Sequence, residues 1–191
     1  MGTLILDEER IPCERKTVPV EELTSALEYT IEAARGSLKQ ENYNEAKNVV
    51  ESFRMKYSYN FHMDEYREDT TSQLMGLDVN LLWAKSALGS LNTYKNELLT
   101  SPQKSTKEEL TGFCIQAALK LEDIGRAVEN VKDNLSDLKT QNSKDALYLR
   151  SLKFRTYDLE KSVEQNTLIF NNILPDFNYT MKKRKNFGCG Y

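Results

Sequence analysis

Residues 110–138 read LTGFCIQAALKLEDIGRAVENVKDNLSDL, and this stretch decides the fold. Leu110, Cys114, Ala117, Leu121, Ile124, Val128, Val131, Leu135 and Leu138 follow alternating spacings of four and three. An apolar residue every 3.5 positions places all nine on one line along an α-helix. The flanking segments carry the same pattern. Before it stand Leu74, Leu77, Leu81, Ala84, Leu88, Leu91 and Leu98, with Lys95 at a position of the line. After it come Leu149, Leu152, Thr156, Leu159, Val163, Asn166, Phe170 and Ile173. At ~1.5 Å per residue each helix would be about 45–50 Å long, so the three match in length. The links near 100–104 and 140–142 are short, which favours antiparallel neighbours.

Helix boundaries follow from punctuation. Pro12, Pro19, Pro102 and Pro175 fall at or outside the ends of periodic segments, as a residue without an N–H must. Asn42-x-x-Glu45, Thr70-x-x-Gln73 and Ser105-x-x-Glu108 have the form of capping boxes, and Asn142-Ser143 is a weaker start. These signals predict helices near 19–39, 42–57, 70–99, 105–140 and 143–174. Met75, Val79, Leu82 and Trp83 add apolar faces to the start of the third, so it needs cover on several sides. Leu23, Leu27, Ile31, Ala34 and Leu38 of the first helix, with Tyr43, Ala46, Val50, Phe53 and Tyr57 of the second, can supply it as a short hairpin. Residues 57–63, Tyr-Ser-Tyr-Asn-Phe-His-Met, alternate in a way that suits an extended strip laid on the bundle.

The expected fold is therefore all-α: an elongated antiparallel bundle of three long heptad-patterned helices with a shorter N-terminal helical hairpin. It occupies 19–174 as a single domain, between a flexible segment 1–18 and a basic, aromatic tail 175–191. Tyr43-Asn44-Glu45-Ala46, with Ala34 twelve positions earlier, is similar to one tetratricopeptide repeat. The large and small residues of that repeat do not recur 34 positions on, at Asn80 and Cys114, so no solenoid is read.

Composition narrows the function. Of 191 residues 29% are charged and 39% hydrophobic, enough for one modest core. Eight glycines and four prolines are about half the usual share, which disfavours turn-rich β architectures. The formal net charge of −3 gives the whole chain no general grip on nucleic acid or anionic lipid. No run approaches the roughly 18 apolar residues of a membrane span, and the start lacks the pattern of a signal peptide. A cytoplasmic protein is expected. Cys13, Cys114 and Cys189 are widely spaced and odd in number, and His62 is the single histidine, so neither a disulfide framework nor a metal site is expected.

Four features could act. Leu147, Phe154 and Leu168, with Tyr157 nearby and Lys161 the single break, form a second apolar line on the last helix; either the first two helices pack over it or it is a docking face for another chain or copy. On the corresponding side the preceding helix has Gly112, Leu119, Arg126 and Asp133, which is mostly polar. Lys95, Thr156 and Asn166 interrupt the apolar lines, and Asn166 is the candidate for fixing register. Lys182-Lys183-Arg184-Lys185 with Tyr179, Phe187 and Tyr191 suits nuclear import or phosphate and base contact, or is a solvated tail. Asp64-Glu65-x-x-Glu68-Asp69 could hold Mg²⁺ for nucleotide hydrolysis, but no second acidic set follows, and carboxylates are also favoured near a helix start. The expected function is a non-enzymatic interaction subunit or adaptor without a cofactor, its partner a second copy or a different protein. The alternatives are a nuclear or nucleic-acid-associated factor using the tail and a Mg²⁺-dependent hydrolase using residues 64–69.

Overall fold

A computed structural model describes residues 18–58, 60–62, 64–100, 107–140 and 142–173, with the side chains of all of these except 62, 64–65, 98–100, 107–110 and 171–173. Among the described residues six α-helices pack together and there is no strand. They are α1 (Val20–Lys39), α2 (Tyr43–Tyr57), α3 (Asp64–Glu68), α4 (Thr70–Thr100), α5 (Lys107–Asp137) and α6 (Ser143–Ile173). None is long and apolar enough to cross a membrane. The expected segment 1–18 lies outside the described residues but for Val18, as do Cys13, Ser105, Cys189 and the tail 175–191.

Local chemistry sets the helix ends. α1 starts after Pro19 without a side-chain cap, and Glu21 and Glu22 in its first turn face the positive end of the helix dipole. It stops where the N–H groups of Glu41 and Asn42 turn back to the carbonyls of Leu38 and Ser37, at 3.2 and 2.9 Å. Such a closure requires a left-handed residue, and here Glu41 (φ 57°) occupies the place where glycine is usual. Asn42 then caps α2: its Oδ1 accepts from Glu45 N, and its Nδ2 donates to the Glu45 carboxylate at 2.7 Å. Asn142 does the same for α6 through Asp145.

Two expectations require correction here. The cap of α4 is Asp69, not Thr70: the Asp69 carboxylate accepts from Ser72 N at 3.1 Å, and Thr70 is already helical. Residues 57–63 do not form an extended strip. A 3-10 turn at Asn60–His62 and the short α3 replace it. Ring packing accounts for the difference, because Phe53 lies 5.0 Å from Tyr57 and 5.9 Å from Phe61, and Phe61 lies 4.8 Å from Tyr66. A compact turn brings these rings together where an extended strip would hold them apart.

Two apolar cores meet along α4. One joins Leu23, Leu27 and Ile31 of α1 and Val50 and Phe53 of α2 to Met75, Val79 and Leu82 of α4. The other joins Leu74, Leu81 and Leu88 of α4 to Cys114, Leu121, Ile124, Val128, Val131 and Leu135 of α5 and to Leu152, Leu159 and Phe170 of α6. Trp83 and Tyr148 are packed against both. Close approach to α4 depends on glycine at two positions. The ring of Tyr43 lies where a Cβ on Gly89 would stand, and the Tyr66 hydroxyl does the same at Gly76. Cys114 lies in the second core, where burial pushes its thiol up from the ordinary value.

Candidate functional site: an apolar helix face beside a buried carboxylate

In α6 a seven-residue spacing returns each side chain to nearly the same direction, so one stripe serves the core and the opposite one is left over. Leu152, Thr156, Leu159, Asn166 and Phe170 turn inward and are buried. The leftover stripe faces solvent: Leu147 is 69% exposed, Phe154 67%, Tyr157 56%, Leu168 62% and the adjacent Ile169 41%. α1 and α2 cover the extra faces of α4 and leave these residues uncovered. Lys161 breaks the line, yet its ammonium lies 5.7 Å from the Tyr157 ring and 2.8 Å from Glu164, whose bond raises the Lys161 pKa. The corresponding side of α5 is polar, with Arg126 held by Asp123 at 2.8 Å and Asp133 exposed.

The polar residues on the inner lines are all bonded. Thr156 Oγ1 donates to the Leu152 carbonyl at 2.8 Å. Asn166 Nδ2 donates to the Ser162 carbonyl at 2.9 Å, and its Oδ1 accepts from Lys95 Nζ at 3.1 Å, joining α4 to α6. Lys95 also donates to Asn92 at 3.0 Å, so its charge is held at the junction between the helices.

The densest polar cluster was not singled out in the sequence. Asp78 stands in the apolar middle of α4 with its side chain fully buried. Its carboxylate accepts from Arg35 of α1 at 2.5 Å, from Arg155 of α6 at 2.6 Å and from the Tyr148 hydroxyl of α6 at 2.7 Å. Burial, followed by the neighbouring carboxylate, raises the pKa of Tyr148, so the phenol stays protonated and donating. A buried carboxylate is retained only when it is paired and hydrogen-bonded, and these three donors meet that need. One turn away, the buried Asp145 accepts from Thr71 Oγ1 at 3.1 Å and ties the start of α6 to that of α4. The only sequence signal for Asp78 was one charge inside the run Leu74–Leu82.

Around these contacts lie open clefts. One of about 580 Å³ is lined by Arg35, Lys39, Asp145 and Tyr148, and another of about 520 Å³ by Tyr43, Lys85, Arg155 and Asn166. Both mix signs of charge or hold cations already engaged with Asp78. Of the acidic run, Asp69 caps α4 and Glu68 is exposed, while the side chains of Asp64 and Glu65 lie outside the description. Among the described residues no group of three His, Cys, Asp or Glu could hold a metal ion. Lys182, Lys183, Arg184 and Lys185 lie outside the described residues.

Compared with protein-family models, curated proteins and solved structures, this chain matches none.

Proposed function

We propose that this chain is a non-enzymatic interaction subunit or adaptor of a larger intracellular assembly, docking through the outer face of α6. The observation that carries the reading is the stripe Leu147, Phe154, Tyr157 and Leu168, apolar and exposed on a helix whose other face is fully used. Large aromatic side chains in water on a rigid helix are the usual anchors of interfaces, each contributing more than ~1 kcal/mol once buried. In this reading residues 19–174 are one elongated bundle in which the long helices run up, down and up, with heptad lines as seams. The pairs Thr71–Asp145, Asp78–Tyr148 and Lys95–Asn166 support it, since they ascend α4 and α6 together.

The test is Phe154→Asp in the full-length protein. The thermal midpoint should stay within a degree or two of the unsubstituted value, because an exposed site changes stability by less than about 0.5 kcal/mol. Assembly with the partner, followed by co-purification from the native cell and quantitative mass spectrometry, should be lost. A midpoint that drops as core damage would drop it refutes the reading, and so does a set of co-purified proteins that the substitution leaves unchanged.

A further inference from the structure

We propose that the outer face of α6 pairs with the same face of a second copy of this chain, the two helices antiparallel about a twofold axis near Tyr157. The proposal rests on the docking reading above and names the partner.

Charge distribution carries the argument. From Ser143 to Arg155 the exposed charges of α6 are Lys144, Arg150 and Lys153, and the single carboxylate there, Asp145, is buried. Beyond Tyr157 the sign reverses: Asp158, Glu160 and Glu164 follow, with Lys161 the one cation. Glu164 is paired with Lys161 at 2.8 Å and Glu160 with Lys132 of α5 at 2.7 Å, so Asp158 is the carboxylate left for a neighbour. Arg150, Lys153 and Asp158 pair with no charge among the described residues, so their charges are available to a neighbour. A helix that is basic in one half and acidic in the other complements itself when reversed and repels itself when parallel.

The apolar residues obey the same symmetry. α6 runs from Ser143 to Ile173, with residue 158 at its middle. Phe154 and Tyr157 sit beside that midpoint, and Leu147 and Leu168 stand at nearly equal distances on either side. A twofold axis there brings the two Tyr157 rings together, sets Leu147 beside Leu168 of the partner subunit and sets Phe154 beside Lys161 of the partner subunit, ring against ammonium. Each copy then offers the same patch, as an isologous contact requires. A strip about 46 Å long and about 10 Å wide is smaller than the ~800 Å² per partner of a standard stable interface. The pair therefore forms and separates with concentration.

Sedimentation equilibrium of the full chain over a wide concentration range tests this. The average mass should rise from that of one chain towards that of two, and Phe154→Lys, which sets a second cation against the Lys161 side of the other copy, should abolish the rise. Arg150→Glu with Lys153→Glu reverses the net sign of the basic half, and Asp158→Lys with Glu164→Lys reverses that of the acidic half. Each double variant alone should remain single, and an equimolar mixture of the two should pair. The variant carrying all four changes should pair with itself and not with the unsubstituted protein. Circular dichroism confirms that each variant remains folded.

A mass of one chain at every concentration overturns the proposal, and so does pairing of the fourfold variant with the unsubstituted protein, which would mean parallel helices. If the protein stays single while Phe154→Asp releases a co-purified protein, the partner is a different chain and the docking reading stands. If neither changes, both fall.

Discussion

Replacing Asp78 by Ala removes a group that α1, α4 and α6 hold in common, and its cost can be estimated from the contacts. Removing one member of a buried ion pair costs about 3–5 kcal/mol when the remaining charge stays buried. Here the stranded cations are partly wet: the Arg35 side chain is 46% exposed and that of Arg155 30%. Arg35 swings into water on losing its partner, while Arg155 and the Tyr148 hydroxyl are left poorly satisfied. The expected loss is about 2–3 kcal/mol, the value of one charged hydrogen bond and part of a second. With a urea slope near 2 kcal/mol per molar, the unfolding midpoint falls by about 1–1.5 M with the slope unchanged. Arg155→Met should cost less than Asp78→Ala, and Arg35→Met least, about 1 kcal/mol or below, because its pair is largely solvent-screened. Asp78→Leu combined with Arg155→Met and Tyr148→Phe should recover much of the loss, since apolar groups of similar size replace a buried charge set at little cost. Equilibrium urea unfolding followed by circular dichroism measures all four. An Asp78→Ala midpoint within ~0.3 M of the unsubstituted protein, about 0.5 kcal/mol, refutes the reasoning.

Gly89→Ala should destabilise by about 1–3 kcal/mol because its new methyl group meets the Tyr43 ring, whereas Gly112→Ala, which meets nothing, should stabilise by about 0.5–1 kcal/mol; thermal melts with the same sign for both would contradict the packing. Cys114 should resist iodoacetamide until the protein unfolds, as peptide mass mapping can read, and labelling in native buffer at the rate of a free thiol would place it outside the core. Burial pushes the Glu51 carboxyl up, but the Trp83 indole N–H at 3.0 Å, Lys47 and Lys120 outweigh it and hold the pKa below the ordinary value. With the folded pKa below the unfolded one, the contact stabilises above about pH 4.3 and its contribution is lost as the pH falls through the folded value. The stability gap to Glu51→Gln should therefore shrink between pH 7 and pH 3, and a gap that does not change with pH would rule the contact out.

What the sequence revealed and what it hid divide along a physical line. Periodicity is local, so the five main helices and the leftover stripe on α6 were legible from spacing alone. Pairing between distant residues is not local. The Asp78 donors lie 43, 70 and 77 positions away, and no pattern around residue 78 points to them. Lys95 and Asn166 each stood out as polar residues on an apolar line, yet their bond spans 71 positions and emerges only when α4 and α6 are side by side. Residues 57–63 misled for a different reason. Alternating aromatics fit the pattern of an extended segment, and only the ring-to-ring contacts among Phe53, Phe61 and Tyr66 show that a turn satisfies them better.

Because α4 belongs to both cores, opening either half exposes apolar surface of α4. The peptide protons in the middle of α4, near Val79–Ala84, lie between the two cores, so their exchange should be among the slowest and report the global free energy. Those at the outer edge of α6 need only a local fluctuation. Every copy should also lose its structure in a single step, with no half-melted species for a protease to cut.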